Sequence, residues 1–299
     1  MVDIIIVNWN SDTYLMKCID SIFNDLNNSI INQVILIDNN STDFSLNSID
    51  YHEKILIIKN SVNLGFSKAC NQGFALCRAP YVLLLNPDTI LFDNTLISCI
   101  DCMDKNMDVE ILGCRLLSED GETTASCSRF PSPINILFDA TGLSKIMPRI
   151  FTPATVMTDW SHNVSRYVDQ VMGAFMLIRK TTLEKLGYFD ERFFVYYEEL
   201  DFSKRLAAIG GKTYYNHSIT AIHSGEGTTR SIKGIRLFLN LKSRLLYSKK
   251  YFSTSGFFLV WCSTFLIEPF ARIFFALIQG RFQETKEIMK GFWMLIKDK

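Results

Sequence analysis

The sequence predicts an α/β fold: a mostly parallel, Rossmann-like sheet flanked by helices, followed by a helical tail. Three observations predict it. Short β-branched runs alternate with amphipathic segments through the first third of the chain, the pattern of parallel strands joined by crossover helices. Of the 299 residues, 48% are hydrophobic and 21% charged, which supplies a sizeable core and excludes a mainly disordered chain. The formal net charge is zero, yet Glu226 to Lys299 holds 13 basic and 5 acidic residues, against 18 and 26 over Met1 to Gly225. The overall balance excludes nucleic-acid binding through bulk positive charge. The asymmetry predicts an acidic globular domain, 1–227, and a basic, aromatic tail, 228–299, suited to an anionic membrane surface.

Taken in order, Ile4–Val7 reads as a buried strand. Ser11 to Leu26 carries Leu15, Cys18, Ile19, Ile22, Phe23 and Leu26 at helical spacing. Strands follow at Val34–Ile37 and Ile55–Ile58, a helix at Ser67–Cys77 and a fourth strand at Tyr81–Leu85. Beyond Asp88 the pattern loosens into a helix at Thr95–Met103, a strand at Ile111–Leu117 and a turn at Glu119–Gly121. Ser128 to Val164, with several prolines and no period, predicts a loop-rich excursion facing substrate. A strand at Val171–Ile178, helices at Thr181–Leu186 and Tyr197–Ile209, and a strand at Ser218–Ile222 follow. Gly210–Gly211 ends the second of those helices.

In the tail, Phe257–Ile267 is almost wholly apolar, Glu268–Pro269 breaks it, and Phe270–Ile278 resumes it. Eleven residues are too few to span a bilayer, and the joined runs would put Glu268 and Arg272 near its midplane. The pattern predicts an interfacial or re-entrant helix pair, the alternative being a helical cap on the domain.

Met1–Asp3 has no basic n-region and Ile4–Val7 is too short for a secretory signal. The eight cysteines therefore read as reduced, mostly buried thiols in a cytosol-facing chain. Cys99 and Cys102 form the one CxxC, with no second pair and no nearby His, so structural thiols outweigh a zinc site. Neither GxGxxG nor GxxxxGK[ST] occurs, which removes the dinucleotide and P-loop readings.

Open parallel sheets bind ligands at the carboxyl ends of their strands. Here those ends are polar: Val7 to Asn10 after the first strand, Asp38 to Asp43 after the second, Asn86–Pro87–Asp88 after the fourth. Each alone is ordinary turn chemistry; three at one sheet edge point to a ligand. Asp38 can accept from a base N–H or a ribose hydroxyl, and Asp88 can hold a divalent cation bridging a diphosphate. Asn63–Leu64–Gly65 precedes a helix, and Gly65 permits close backbone approach. The densest constellation is late: Glu198, Glu199 and Asp201, then Arg205. Three carboxylates in four residues repel one another unless a cation, an Arg or a substrate hydroxyl relieves them. Their place after the apolar run Phe193–Tyr197 predicts partial desolvation of a useful base. His223 is positioned to share a metal with Asp88.

Together, Ile4 to Asn10, Asp38 to Asp43, Asn63 to Gly73 with its Asn71, Asn86 to Asp88, Gly173–Ala174, Glu198 to Arg205 and His223 resemble, in order, the family-two inverting glycosyltransferases with a GT-A fold. The resemblance covers Asp3 to Gly227 and is most like the bacterial rhamnosyltransferases of O-antigen and cell-wall assembly. It implies a nucleotide-sugar donor, dTDP-β-L-rhamnose, and a GlcNAc-diphospho-polyprenol acceptor at the cytoplasmic face of the inner membrane, with peripheral or monotopic attachment. It implies that Val7, Asn8, Asn10, Asp38, Asn40, Asp43, Asn63, Gly65, Asn71 and Asn86 line the donor site. Asp88 and His223 would hold Mg²⁺ or Mn²⁺, and Glu199 would be the catalytic base. Gly173, Ala174, Glu198, Asp201 and Arg205 would form the acceptor side, with Arg244, Lys249 or Lys250 available to the acceptor's diphosphate. Asn86 stands where the family's metal motif has its first Asp, and Glu199 where its catalytic pair has Asp. Rival readings are a UDP-galactofuranose or UDP-hexose donor, a nucleotidyltransferase, which lacks its glycine-rich basic loop here, and a non-catalytic nucleotide-sugar-binding membrane scaffold.

Overall fold

The β-branched run at the N-terminus forms strand β1, Val2–Asn8, and all seven of its residues are buried. The computed structural model describes residues 1–49, 52–225 and 233–298, so the expected boundary at 227/228 and Gly227 lie outside the described residues. The chain folds as two compact units. The first comprises Met1–Ser128, Ser161–Phe194 and Glu198–Thr228; the second comprises Arg129–Trp160, Val195–Tyr197 and Thr229–Lys299.

In the first unit, β1 is followed by helices α1, Tyr14–Ile22, and α2, Asp25–Asn28, then β2, Ile31–Asp38. The single helix expected over Ser11 to Leu26 is thus two; Asn24 accepts from the Asn27 N–H at 2.9 Å and caps the second. Strand β3, Ile55–Lys59, helix α3, Phe66–Phe74, and strand β4, Tyr81–Leu85, come next. Strand β5, Thr89–Leu91, helix α4, Thr95–Lys105, strand β6, Val109–Leu117, and strand β7, Cys127–Ser128, lead to the second unit, which holds α5, Pro133–Thr141, and α6, Leu143–Ile146. The first unit resumes with β8, Arg166–Val168, β9, Gln170–Val171, β10, Phe175–Arg179, helices α7, Lys180–Leu186, and α8, Glu198–Ala208, and β11, Lys212–His223.

The large sheet has the order β3-β2-β1-β4-β10-β6-β11-β5, with β8 paired to β11. The β1–β2, β1–β4, β2–β3 and β6–β11 pairs are parallel, and β10 runs antiparallel between β4 and β6. Central strands covered on both faces favour apolar residues along their length, which is why Ile4–Val7 of β1 and all of β4 read as unbroken runs, while the buried Asp3 is satisfied by the Ala79 N–H at 2.8 Å. The expected strand over Val171–Ile178 is interrupted at Met172–Ala174, a break with a functional consequence below.

The second unit corrects two expectations. Ser128 to Val164 is loop-rich but also holds two helices that its lack of period did not announce: Ser132 caps α5, Pro133 sits in its first turn and Gly142 closes it in the left-handed region. Pro133 marks a helix start, a position where a missing N–H is harmless. The face of α5 carrying Ile136 packs with Ala154 and Val260, so this segment groups with the tail. The second correction is that Glu268–Pro269 does not break the tail helix. After α9, Lys233–Tyr251, and α10, Thr254–Cys262, a π turn at Ser263–Ile267 carries the chain into α11, Glu268–Ile278, and then α12, Phe282–Lys297. The wider π turn admits Pro269 at the start of α11 without the clash it makes in a regular helix, and Thr254–Ile278 is one 25-residue helix. Phe238, Leu241, Phe292 and Leu295 form the core between α9 and α12.

Candidate active site

Parallel register brings the polar strand ends together. Asn8 lies opposite Asp38 and Ile6 opposite Leu85, so β1, β2 and β4 end side by side. Because β10 is antiparallel, its beginning shares that edge: Phe175 lies opposite Leu85. The end of β11 arrives beside β5, with His223 opposite Thr89.

At the first two ends, most of the polar atoms hold one another. Asn8 Nδ2 donates to Asp38 Oδ1 and Ser45 Oγ at 2.9 Å and lies 3.1 Å from Ser41 Oγ; its Oδ1 accepts from Ser11 Oγ at 2.6 Å. Asn8 is fully buried and its side-chain bonding capacity is used, so its side chain locks two loops. Among the described residues the Asp38 carboxylate receives one further hydrogen bond, from the Ser41 N–H at 3.3 Å, and keeps acceptor capacity. Asn10 Oδ1 accepts from the Thr42 N–H at 2.7 Å, and Asp43 Oδ2 from the Asp12 N–H at 2.7 Å. Burial raises the Asp43 carboxyl, but hydrogen bonds from Ser45 and the Asp12 N–H outweigh it and hold the group below its ordinary range. Asn10, Asp12 and Asn40 all have positive φ, a conformation Asn and Asp tolerate better than most residues. Asn40 is exposed, and Val7 is buried in its strand.

The loop before α3 is also self-bonded. Asn63 Oδ1 accepts from Asn39 Nδ2 and the Gly65 N–H, both at 2.9 Å. Asn39, which sequence reasoning missed, is 2% exposed and also accepts from Asn60 Nδ2 and the Leu64 N–H. Its signal was its place directly after the strand-end Asp38. Gly65 has φ of +86°, and a Cβ there would lie 2.5 Å from the Phe194 carbonyl oxygen. Its freedom serves close approach of the Phe193–Phe194 backbone, not of a ligand. Asn71 is likewise reassigned: its amide bonds both the N–H and the carbonyl of Phe189, at 3.0 and 2.9 Å, and so secures the loop ahead of α8.

Around the end of β4 the groups face one another instead. His223 Nε2 lies 3.3 Å from Asp88 Oδ1 and 3.5 Å from Asn86 Nδ2. Both side chains of the Asp88–His223 pair are about one-tenth exposed. Two ligands of one small divalent cation lie about 3 Å apart when each is ~2.1 Å from it, so this spacing fits a shared ion. No group of three His, Cys, Asp or Glu side chains is gathered for a metal among the described residues, so phosphate oxygens and water would complete the coordination. Cys18, also missed, lies beneath with its Sγ 3.6 Å from the Asn86 carbonyl; burial and then the Asp88 charge push its thiol far up, leaving it inert.

The break between β9 and β10 joins this group to the acidic cluster. The Asn86 N–H donates to the Ala174 carbonyl at 3.0 Å, and Thr89 Oγ1 to the same oxygen at 3.2 Å. The preceding Gly173 packs against Glu199: a Cβ on Gly173 would lie 2.3 Å from Glu199 Oε1. Glu199 accepts from the Gly173 N–H and shares a hydrogen bond with the Glu198 side chain, yet burial dominates and pushes its carboxyl above the ordinary glutamate range. Glu198 is 2% exposed. Asp201 and Arg205 do not join the pair. Asp201 is fully buried and binds Arg205 Nε at 3.0 Å, while that guanidinium donates to the Leu186 and Tyr188 carbonyls. They brace the loop before α8 because an i,i+4 pair on that helix turns away from the Glu199 side. Ala174 acts through its carbonyl, its methyl being buried. Just ahead of α8, Tyr196 and Tyr197 take consecutive positive φ values of 67° and 69°, a strained pair that the sequence does not announce.

Residues 3–165 match the family model described as Glycosyl transferase family 2. The low-salt glycan biosynthesis hexosyltransferase Agl10 of Haloferax volcanii is 27% identical over 257 residues, 84% of this chain and 76% of that protein. The N-acetylglucosaminyl-diphospho-decaprenol L-rhamnosyltransferase of Mycobacterium tuberculosis is 24% identical over 226 residues, 72% of this chain and 73% of that one. Among solved structures, the mannosyltransferase PcManGT from Pyrobaculum calidifontis, in complex with GDP-Man and Mn²⁺, matches with a TM-score of 0.59 at 13% identity. That match covers all of this chain and 87% of the other, and it speaks to the fold, a GT-A arrangement.

Proposed function

This chain belongs to glycosyl transferase family 2, and from that premise we propose that it moves L-rhamnose from dTDP-β-L-rhamnose to a GlcNAc-diphospho-polyprenol lipid, with inversion, at a bacterial membrane surface. The observation that carries the reading is one continuous linkage: Asp88 and His223 face each other 3.3 Å apart, Asn86 is bonded to Ala174, and Gly173 lies against Glu199. This linkage supports reading Asp88 and His223 as a cation-and-diphosphate subsite beside a desolvated base, Glu199, in the first turn of α8.

Glu199 takes the proton from the acceptor hydroxyl. That oxygen attacks the anomeric carbon from the face opposite the diphosphate; the new C–O bond forms as the bond to the diphosphate breaks, and a single displacement inverts the centre. Glu198 shares its hydrogen bond with Glu199 and keeps the carboxylate aimed. Asp38 offers its spare acceptor capacity to the nucleotide, with Asn40 beside it. Asp88 and His223 would hold Mg²⁺ or Mn²⁺, which when bound offsets negative charge on the diphosphate. The rhamnosyl donor and the polyprenol-linked acceptor are supported by the name of the mycobacterial relative; the haloarchaeal relative supports a hexosyl donor as the second reading.

The test is a donor panel. Full-length protein with Mg²⁺ or Mn²⁺ and a GlcNAc-diphospho-lipid analogue is offered dTDP-rhamnose, UDP-galactofuranose, UDP-glucose and UDP-GlcNAc in turn, and the lipid is weighed by mass spectrometry. A rhamnose-sized gain with dTDP-rhamnose alone, abolished by EDTA, is expected. A gain with a UDP-sugar overturns the donor; no gain with any donor points to another acceptor or to the scaffold reading.

A further inference from the structure

The second unit contains a cavity of about 900 Å³, large enough for a sizeable small molecule. Helix α11 forms one wall. Arg272, Phe275 and Ala276 line the cavity, while Phe270, Phe274 and Ile278 of the same helix are exposed apolar side chains on the opposite stripe. Set into the wall is Arg244 of α9, only 5% exposed. Its Nη2 donates to Thr264 Oγ1 at 2.8 Å and to Glu268, and Glu268 also binds Arg272 Nη2 at 2.7 Å. One carboxylate therefore serves two guanidiniums, and the triad keeps a positive charge. The buried Arg244 Nε has no hydrogen-bond partner among the described residues.

The three other carboxylates among the described lining residues, Asp139, Glu284 and Glu287, are matched in number by three further cations, Lys145, Lys233 and Arg281. Asp139 accepts from Ser144 Oγ and the Ala154 N–H, Glu284 pairs with Lys233 at 2.9 Å, and Glu287 accepts from the Gly234 N–H. Lys145, exposed, adds a cation to the lining. With five cations and four carboxylates among its described lining residues, the recess keeps one net positive charge, and with an apolar surface one helix-width away it suits a molecule with an anionic head and an apolar chain.

We infer that this cavity binds the phosphate-bearing headgroup of an amphiphilic lipid, with Arg272 and Lys145 contacting the phosphates and Arg244 holding the charged wall. Two cations of this kind match a diphosphate better than a single charge. Tyr197, the residue before Glu198 in the chain, also lines the cavity. That the headgroup is the acceptor's own diphosphate rests on the lipid-linked acceptor reading above; the anion site itself does not. Lys249 and Lys250, also candidates for that contact, are not among the lining residues.

Calorimetric titration of the full chain in neutral detergent, with EDTA present, tests this using farnesyl diphosphate and inorganic diphosphate as probes. Farnesyl diphosphate is expected to bind, with affinity lowered at least tenfold in both Arg272→Gln and Lys145→Gln. Lys145 lies outside the triad, so its variant stays informative if Arg272→Gln unfolds. Asp88→Asn is expected to leave this binding unchanged, which separates the cavity from the nucleotide site. Competition by phosphatidylglycerol micelles would assign the headgroup to bilayer lipid, and its absence to an isoprenoid diphosphate. Equal binding by inorganic diphosphate, or wild-type affinity in Lys145→Gln, overturns the proposal. Wild-type sugar transfer in Arg272→Gln or Lys145→Gln protein that has lost this binding would strike the acceptor reading and leave the site standing.

Discussion

Glu199 is a base held where its charge is disfavoured. Burial raises its pKa above the ordinary glutamate value, so the folded protein binds that proton more tightly than the unfolded chain does. Two consequences have opposite signs. Catalysis needs the carboxylate, so kcat/KM falls as pH drops through the raised pKa, on an acid limb lying above 4.5. Stability runs the other way: the penalty is absent at low pH and grows as pH rises through the same window. Glu199→Gln is therefore expected to lose at least 10³-fold in kcat with donor binding kept, and to gain about 1 kcal/mol near pH 7, read as a Tm rise of about 2–4 °C. A variant that loses stability and donor binding together would remove Glu199 from the role of base. Residue roles were only half legible beforehand. Asn and Asp at strand ends announce a polar edge, but an amide bonds a ligand and a neighbouring loop with the same atoms. Hence the side chains of Asn8 and Asn71, both in segments read as the donor site, bind Asp38 and the Phe189 backbone. Asn71→Ala should cost about 1–3 kcal/mol from unpaired backbone groups while leaving donor KM unchanged, checked by denaturant unfolding beside kinetics. A raised donor KM without loss of stability would restore the donor-site assignment.

At the scale of elements, the parallel half of the sheet could be read because strands buried on both faces write their burial along their length, as Ile4–Val7 of β1 and all of β4 do. What failed was punctuation. Pro133 looked like a loop and starts a helix after its Ser132 cap; Pro269 looked like a stop and follows a π turn. Proline fixes one dihedral and removes one donor, and whether that ends a helix depends on the hydrogen bonds of the preceding turn, which the residue itself does not specify. Gly65 shows the same limit: its freedom was legible, its purpose was not. Helix α3 begins there, and the Phe66 N–H bonds the Phe194 carbonyl at 2.6 Å, with Ser67 Oγ on the Phe193 carbonyl. Gly65→Ala forces a Cβ against backbone at a positive φ, so the cost is expected at about 1–3 kcal/mol. Because the displaced segment leads to Glu198 and Glu199, kcat should fall with little change in donor KM. A neutral Gly65→Ala in both assays would mean that the Phe193–Phe194 segment has no fixed place against α3.

Across the whole molecule, composition and fold single out the same segment for the membrane contact proposed above. The segment from Glu226 to Lys299 has 13 basic residues and 5 acidic ones, and within it the Thr254–Ile278 helix is long and apolar enough to cross a bilayer by length and composition. Its outward stripe repeats Leu266, Phe270, Phe274 and Ile278 at four-residue intervals, each at least 59% exposed. Its inward side carries Glu268, bound to Arg244 and Arg272. A helix with one charged, partnered side and one bare apolar side suits the headgroup boundary better than the hydrocarbon midplane, where the ionic cluster would be costly. The peripheral reading then predicts a specific failure. Replacing Phe270 and Phe274 together by Glu puts two charges on the buried side of that boundary and touches none of the ionic partners. The double variant should keep its secondary structure and its donor-binding affinity, yet move from the floating to the soluble fraction in flotation with vesicles containing anionic lipid. Raising salt should weaken the remaining association of the wild type only in part, since screening removes the basic contribution and leaves the apolar one. If the double variant floats as well as the wild type, the membrane contact lies on another face; if the wild type resists both high salt and alkaline carbonate extraction, the helix is inserted across the bilayer and the peripheral reading falls.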